Sequence, residues 1–413
     1  MCENTFSFDP ATRRLSQSVH DPDFYADPFK LYRMIHEWGD PVWWEEIGCW
    51  CFAGHEQVNA LLRDRRFGRQ ILPLATDERI GSARPAPHLD DFTRAEQHSL
   101  LNLEPPAHTR LRTLVNRAFV SRQIERLEPE IRSLAHQLID GFEERQKVEL
   151  LGAFGAVIPV TIIARMLGVP QTDGAQLLAW SHAFVRMYMP QPSVEDEHAA
   201  NRAAQEFSHY LSEIITDKRR RPADDLLSRM IAAEIDGERL KDDELISTTI
   251  LLLNAGHEAT VHQIGNTVHA ILAHEFDPEQ IFSDADTTSR TIEESLRFLT
   301  PLHLFKRFVL EDCVIAQVPL RRGEEIGLLL AAANRDPDRY ANPDRFDPMR
   351  RSGGHLAFGA GLHFCIGAPL ARLELASALP VLFARLPGLR LVAPPRLRDS
   401  YHFYGLEQLW LEW

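Results

Sequence analysis

The chain has 413 residues, of which 44% are hydrophobic and 25% are charged, and its formal net charge is −14. This balance is ordinary for a globular protein with a large core and argues against an intrinsically disordered chain. The negative charge argues against binding nucleic acid over a broad surface, because phosphate contacts need a basic face.

The N-terminal residues and the cysteine content favour a cytoplasmic protein without a membrane anchor. Residues 1–4 are polar and contain no apolar signal-peptide core. The longest apolar stretch, around residues 250–255, is too short to cross a bilayer. An odd number of scattered cysteines fits reduced thiols better than a disulfide framework. The five are Cys2, Cys49, Cys51, Cys313 and Cys365.

Helical periodicity dominates the chain, so the predicted fold class is mainly α with a minor antiparallel β region. Apolar residues recur three and four positions apart in several segments, which predicts amphipathic helices. Shorter runs rich in β-branched or aromatic residues predict strands. The helical segments are residues 28–37, 106–119, 124–142, 195–218, 243–273 and 289–299. The predicted strands lie within residues 42–52, 308–318 and 406–413.

Two stretches rich in glycine or proline lack clear periodicity and are predicted to be loops, residues 67–103 and 335–354. Loops of this length inside a compact domain are usually functional.

The predicted helix 243–273 contains a run of apolar residues that opens onto Ala255-Gly256 and is followed by the acid Glu258. Small residues remove side-chain bulk where a flat ligand could lie, and glycine weakens the helix locally. A buried acid is unfavourable unless it is paired or transfers protons. His257-Glu258 followed by His262 is similar to the H-E-x-x-H zinc motif. The histidines are five positions apart instead of four, about 140° around the helix, which argues against zinc-dependent hydrolysis.

Glu294 and Arg297 lie three positions apart in a helical segment, so their side chains can pair. By itself this pattern is common for a surface ion pair that contributes little stability.

A glycine-punctuated loop from Phe358 to Gly367 contains Cys365 and leads directly into a predicted helix. Glycines allow backbone conformations closed to other residues. A cysteine just before a helix lies where backbone N–H groups and the helix dipole favour the thiolate, which is the form that binds metals. Considered alone, Cys365 could also be a structural cysteine in a tight turn.

The loop resembles the haem-binding signature of the cytochrome P450 family, with every motif position from Phe358 to Gly367 matched. The resemblance implies a single haem domain of triangular-prism shape spanning residues 1–413. It implies haem b as cofactor, with Cys365 as the iron ligand, since an axial thiolate favours O–O cleavage. It also implies a structural triad of Glu294, Arg297 and Arg345, the last from the segment Pro343-Asp344-Arg345-Phe346.

Haem carries two propionates, which need cationic partners. The resemblance points to His108, Arg112, Arg307 and His363 for this role. It also assigns haem contacts to Ala255, Gly256, Phe358 and Gly367.

The segment around Glu258 resembles the oxygen-activation helix of the family, in which an acid and a threonine deliver protons. This chain has Ala259 where the family usually has the threonine, and Thr260 lies one residue later, about 100° around the helix. Thr260 is therefore not expected to replace the missing hydroxyl. Our hypothesis is that an ordered water or a hydroxyl on the substrate completes the relay.

The resemblance places the substrate among residues 67–103, 184–194, 300–306 and 401–404, whose aromatic and aliphatic side chains suit a small apolar ligand. The predicted substrate contacts are Phe92, Phe184, Leu302, Phe305 and Phe403.

The implied activity is insertion of one atom of dioxygen into a C–H bond by a monomeric, cytoplasmic monooxygenase. Electrons would come from a separate iron–sulfur ferredoxin with an NAD(P)H-dependent reductase, which would dock near Arg110, Arg117 and Arg372. A peroxygenase that uses hydrogen peroxide, and a haem-binding sensor without turnover, are the alternatives.

Overall fold

The computed structural model describes residues 6–70, 86–119, 121–188, 192–351 and 353–413. The helices in these ranges are α1 Pro22–Ala26, α2 Pro28–Trp38, α3 His55–Leu61, α4 Asp90–Glu96, α5 Ala107–Ala118, α6 Ser121–Glu125, α7 Glu128–Asp140, α8 Val157–Leu167, α9 Gly174–Arg186, α10 Val194–Arg220, α11 Leu226–Ala232, α12 Asp242–Ala273, α13 Pro278–Ile281, α14 Ala285–Phe298, α15 Leu330–Ala333 and α16 Ala368–Arg385. The strands are β1 Ser7–Asp9, β2 Arg14–Ser16, β3 Val42–Trp44, β4 Cys49–Phe52, β5 Phe67–Gly68, β6 Lys147–Glu149, β7 Glu234–Ile235, β8 Glu238–Arg239, β9 Leu304–Val309, β10 Cys313–Ile315, β11 Val318–Leu320, β12 Glu325–Leu329, β13 Arg390–Leu391, β14 Arg396–Leu397, β15 Leu406–Gln408 and β16 Trp410–Glu412.

The prediction of a mainly helical fold with a minor antiparallel β region is confirmed. Five of the six predicted long helices are present as single helices with small shifts of their ends, as for α10 and α12. The segment 124–142 instead forms two helices, α6 and α7, because the chain restarts a helix with Pro129 in its first turn, where the missing N–H is no loss.

Several helices escaped prediction because they carry no clear amphipathic stripe. Helix α8 is buried on nearly all sides, so its apolar residues do not alternate with polar ones. Part of the predicted loop 67–103 is also helical, since α4 occupies Asp90–Glu96. Residues 71–85 of that loop lie outside the described residues.

Helix α12 is the central element of the fold. It runs for 32 residues and packs against α8, α9, α10, α14 and α16. Most of its residues are buried, including polar ones such as Thr248, Asn254 and Glu258. None of the helices in the described ranges combines the length and the apolar character that a bilayer-crossing segment requires.

The largest sheet among the described residues has seven strands in the order β1-β2-β3-β4-β12-β9-β5. Most neighbours are antiparallel, but β2 pairs parallel with β3, and β4 pairs parallel with β12. Strands β9 and β12 pair over five residues, which fixes Lys306 and Arg307 opposite Gly327 and Ile326.

Glu294 and Arg297 on α14 form a buried ion pair that holds the long loop before Cys365. Arg297 Nε lies 2.7 Å from Glu294 Oε2, and each side chain is only 3% exposed. Arg297 Nη1 also donates to the carbonyl oxygens of Asn334 (2.8 Å) and Pro343 (2.9 Å). Removing one partner of a buried pair leaves an uncompensated charge, which is strongly destabilising.

The arginine that joins this pair is Arg350, so the prediction that Arg345 completes the triad is wrong. Arg350 Nε lies 3.2 Å from Glu294 Oε2, and its side chain is 10% exposed. Arg345 is exposed and contributes its carbonyl oxygen, which accepts from Arg297 Nη2 at 3.2 Å. A turn lies between the two arginines, closed by the hydrogen bond from the Arg350 N–H to the carbonyl oxygen of Asp347 (2.8 Å). The side chain of Arg350 therefore points inward, towards Glu294.

We therefore expect Arg350→Ala to lower the free energy of unfolding by about 2–3 kcal/mol, because a buried carboxylate loses a charged hydrogen-bond donor. The matched variant Arg345→Ala keeps the carbonyl contact and should change it by less than about 0.5 kcal/mol. Urea unfolding of the two variants checks this. Equal losses would contradict the assignment of Arg350.

Candidate active site

Cys365 lies in a tight loop that its own backbone holds against α16. A 3-10 turn at Gly361–His363 comes just before Cys365. The backbone N–H of Cys365 donates to the carbonyl oxygen of Phe358 at 3.0 Å. The backbone N–H groups of Gly367 and Ala368 face the sulfur atom and act to lower its pKa. The start of α16 thus presents hydrogen-bond donors and a positive dipole end to the thiol.

The Cys365 thiol combines an accessible surface with a deep position among protein atoms. Its surface is accessible, yet it lies so deep among protein atoms that burial raises the pKa of the thiol, against the opposing effects of the Gly367 N–H and the Arg112 charge. A raised pKa keeps the free thiol protonated, and coordination to a metal ion removes the proton. The position suits a metal ligand better than a packed structural cysteine.

Gly361 lets the cysteine loop lie directly on the chain that follows α3. Its φ is +68°, and a Cβ at this position would stand 2.6 Å from the carbonyl oxygen of Leu62. Gly359 has the same φ of +68°, but a Cβ there would meet no described atom within 4 Å. Of these two glycines, only Gly361 is therefore required both by its backbone conformation and by the lack of space for a side chain.

Glu293, next to Glu294 on α14, clamps the two ends of the cysteine loop. Its carboxylate accepts from Arg372 at 2.6 and 2.9 Å and lies 3.3 Å from His355 Nε2. Burial acts to raise the pKa of Glu293, but His355 and Arg372 lower it to about 2. Arg372 also lies over the ring of Phe358 at 4.5 Å. No sequence signal marked Glu293.

Unpaired imidazole nitrogens lie on one side of the site. The rings of His108 and His363 are 4.6 Å apart. Both ring nitrogens of buried His108 and Nδ1 of His363 have no hydrogen-bond partner among the described residues, while His363 Nε2 lies 3.3 Å from Glu104 Oε1. Burial, then the charges of His363 and Arg112, lower the pKa of His108 to about 4. Arg112 Nη2 donates to the carbonyl oxygen of Phe364 at 2.8 Å.

Two arginines meet beside β9, of which sequence reasoning found only Arg307. Arg69 and Arg307 each donate to the carbonyl oxygen of Lys306 at 3.0 Å, and both lie against the ring of Phe305. Burial, reinforced by the Arg69 charge, lowers the pKa of Arg307 to about 9. Two close guanidinium groups need a counter-charge, so with the orphaned imidazoles they fit the carboxylates of a flat, dianionic cofactor. Arg69 lies in a stretch without periodicity, which is why no pattern revealed it.

Helix α12 presents an accessible stripe along its mostly buried central part. Leu251, Ala255 and Ala259 follow one another at four-residue spacing and are at least partly accessible, and Ala255 is exposed. Gly256 differs from expectation: the Cβ it lacks would stand 2.9 Å from Ile163 of α8. The glycine therefore allows close packing of α8 and α12, and Ala255 provides the open face. Thr260 is 6% exposed and lies off the stripe.

Glu258 is the centre of a buried charge cluster. Arg398 Nη1 donates to Glu258 Oε1 at 3.2 Å, and His262 Nε2 lies 3.7 Å from the same oxygen. His257 Nε2 lies 3.7 Å from Oε2. Burial acts to raise the pKa of Glu258, but the two histidines and Arg398 lower it to about 2. Glu258 is thus ionised at neutral pH. Arg398 comes from the C-terminal region, too far along the chain for any motif to indicate.

The predicted substrate residues divide into two groups. Phe184 has no exposed surface and packs between Phe92 (ring centroids 5.1 Å apart) and Phe207 (6.4 Å), so it belongs to helix packing. Leu302 forms an antiparallel bridge with Phe403. Leu302 is partly accessible. Phe305, whose ring lies against Arg69 and Arg307, is also partly accessible. Residues 189–191, between α9 and α10, lie outside the described residues.

Two of the three arginines of the predicted basic docking patch form ion pairs within the chain. Arg110 pairs with Glu244, Arg117 donates to the carbonyl oxygen of Glu234, and Arg372 pairs with Glu293 as described. Apolar side chains are exposed next to the cysteine instead: Leu362 is 41% and Phe364 is 40% exposed.

Comparisons with known proteins agree with this site. The family model described as Cytochrome P450 matches residues 74–279 and 277–386. Among curated proteins, the polyketide biosynthesis cytochrome P450 PksS of Bacillus subtilis is 32% identical, over 94% of this chain and 96% of that protein. The cytochrome P450 monooxygenase PikC of Streptomyces venezuelae is 36% identical, over 95% of this chain and 92% of that protein.

Solved structures give the same result. The structure of P450BioI in complex with an acyl carrier protein ligated to hexadec-9Z-enoic acid has a TM-score of 0.87 and 32% identity, covering 95% of this chain and 99% of that one. A myxobacterial cytochrome P450 in complex with myristic acid has a TM-score of 0.86 and 31% identity, covering 95% of this chain and 98% of that one.

We expect Gly361→Ala to destabilise the cysteine loop more than Gly359→Ala does. Both variants place a side chain at positive φ, which costs about 1–2 kcal/mol, but only Gly361→Ala also forces a Cβ against the Leu62 carbonyl. The midpoint of thermal unfolding and the fraction of protein that retains haem check this. Equal losses in the two variants would show that the close approach to Leu62 has no role.

Proposed function

The chain belongs to the cytochrome P450 family of haem b-containing, oxygen-incorporating oxidoreductases, and we propose that it hydroxylates a small apolar substrate. One atom of dioxygen would enter a C–H bond, in a single haem domain spanning residues 1–413 in the cytoplasm. Electrons would come from a separate ferredoxin and its NAD(P)H-dependent reductase. The observation that carries the proposal is the accessible thiol of Cys365, deep in the fold at the start of α16.

The residues around Cys365 fit the cofactor. When bound, haem b would supply the chemistry of dioxygen reduction, and a thiolate ligand to its iron favours O–O cleavage. Cys365 Sγ would bind the iron, with the N–H groups of Gly367 and Ala368 stabilising its negative charge. His108, Arg112, Arg307 and His363 would hold the propionates, and Arg69 joins them through the carbonyl oxygen it shares with Arg307.

Glu258 is the residue that we propose to transfer protons. Its carboxylate is ionised and buried. It lies two residues after Gly256 on α12. Arg398 and His262 hold Oε1, which leaves Oε2 to accept and release a proton through water. Ala259 lies on the accessible stripe where a hydroxyl would be expected, whereas Thr260 is buried off it. A water or a substrate hydroxyl therefore replaces the missing side chain.

The substrate and the partner are inferred from surface chemistry and from relatives. The partly accessible side chains Leu302 and Phe305 are apolar, and two structural relatives were solved in complex with fatty acyl ligands. These observations favour an apolar chain or ring of moderate size. The exposed side chains of Leu362 and Phe364 beside the cysteine loop offer an apolar contact for an electron donor.

The haem-loaded, reduced protein should give the far-red-displaced Soret band of a thiolate-bound haem when it is exposed to carbon monoxide. The variant Cys365→His should bind haem without this band, because imidazole replaces the thiolate. A wild-type spectrum that lacks the displaced band would overturn the proposal. The variant also separates loss of the thiolate from loss of haem, since total haem is measured in the same sample.

Glu258→Gln should slow product formation by about 10²-fold or more, because the amide cannot take up and release a proton. Thr260→Val should leave the rate close to that of the wild type. The substrate for both assays is an apolar compound that shifts the haem spectrum from low spin to high spin. If Thr260→Val slows product formation as much as Glu258→Gln does, the hydroxyl of Thr260, and not a water beside Ala259, takes part in proton transfer.

A further inference from the structure

We propose that His182, His257 and Glu258 form a binding site for Zn²⁺ that links α9 to α12. One possible ligand atom from each residue lies within 4.8 Å of the others. His257 Nε2 and Glu258 Oε2 are 3.7 Å apart. Zinc bonds of about 2.0–2.1 Å in tetrahedral geometry bring ligand atoms to about 3.4 Å from one another. Small side-chain rotations are therefore enough to complete the site.

His257 is already oriented as a ligand. Its Nδ1 donates to the carbonyl oxygen of Leu253 at 2.8 Å, because a carbonyl oxygen can only accept. This bond fixes the tautomer and leaves Nε2 with a free lone pair. Nε2 is buried and has no hydrogen-bond partner among the described residues. Because His257 Nε2 is buried, has no hydrogen-bond partner in the described part of the chain and lies 3.7 Å from Glu258 Oε2, these two atoms can bind the same metal ion.

The two oxygens of Glu258 have separate contacts. Oε1 faces Arg398 and His262, whereas Oε2 faces His257. His262 does not join the ligand set, because its Nε2 lies 3.4 Å from the Arg398 guanidinium and its Nδ1 lies against Gly405. The third ligand therefore comes from α9 rather than from α12. The site is distinct from the H-E-x-x-H zinc pattern, and it is defined by tertiary structure.

His182 gives the site access to solvent. It is exposed, its ring centroid lies 6.3 Å from that of His257, and it has no hydrogen-bond partner among the described residues. Two imidazoles and one carboxylate suit Zn²⁺, with a fourth position left for water. Arg398 already neutralises part of the Glu258 charge, so the affinity should be lower than that of a structural zinc site.

Zinc at this site would also inhibit turnover. The ion would occupy Glu258 Oε2, the atom assigned above to proton transfer, and would tie α9 to α12. This second step rests on the proposed function, whereas binding of the ion does not.

Binding is tested by titrating the haem-loaded protein with ZnCl₂ in the presence of a chromophoric chelator. His182→Ala should weaken binding by at least about tenfold, since even outer-shell changes at zinc sites have effects of that size. The matched control is His198→Ala, which removes another exposed helical histidine beside a histidine and a glutamate, His88 and Glu197. It should bind zinc as the wild type does.

Equal zinc affinity of His182→Ala and the wild type, or loss of the ion in His198→Ala, would overturn the proposed site. Because His182 is exposed, its variant is expected to fold, and the carbon monoxide spectrum verifies this. A wild-type protein that lacks the thiolate spectrum but loses zinc on His182→Ala would refute the proposed function and leave the zinc site in place.

Inhibition is tested by measuring product formation with and without ZnCl₂. Zinc should slow the wild type and have much less effect on His182→Ala in the same mixture. The reductase, assayed alone with an artificial acceptor, controls for zinc acting on the electron donor. Equal inhibition of both proteins would overturn the link between zinc and proton transfer.

Discussion

The structure depends on two adjacent carboxylates of α14, because they hold the loop that presents Cys365. Glu294 binds Arg297 and Arg350, which gather the backbone before the loop. Glu293 binds His355 and Arg372, which lie on either side of the cysteine. Buried Glu294 needs both arginines to compensate its charge, and His355 and Arg372 do the same for the partly buried Glu293. The ion pairs therefore determine where the thiol lies.

The same electrostatic rule explains the two polar regions of the interior. Beside β9, Arg69 and Arg307 are close together, and burial lowers the pKa of both. Glu104 supplies a negative charge near both arginines, and the carboxylates of an anionic cofactor would add to it. Around Glu258 the balance is different, since one carboxylate meets Arg398 and two histidines. One region thus fits a bound anion, and the other holds the ionised acid for which we propose proton transfer and metal binding.

Helix α12 connects these regions. Its accessible stripe requires small residues at Ala255 and Ala259, whereas Gly256 lets α8 pack closely on the opposite side. The helix therefore provides an open face for the cofactor without losing its support. Leu362 and Phe364, three residues and one residue before Cys365, are exposed.

The sequence by itself determined the helical class, most of the long helices and the cysteine loop, because apolar periodicity and a fixed local motif are properties of neighbouring residues. It also identified the pair Glu294 and Arg297, three positions apart on one helix. Only tertiary structure decided which arginine completes that pair, since Arg345 and Arg350 differ in the direction the chain takes. Arg69 and Arg398 reach their partners, and His182 comes to lie near His257, across long sequence separations, where no periodicity applies, and so packing alone assigns them.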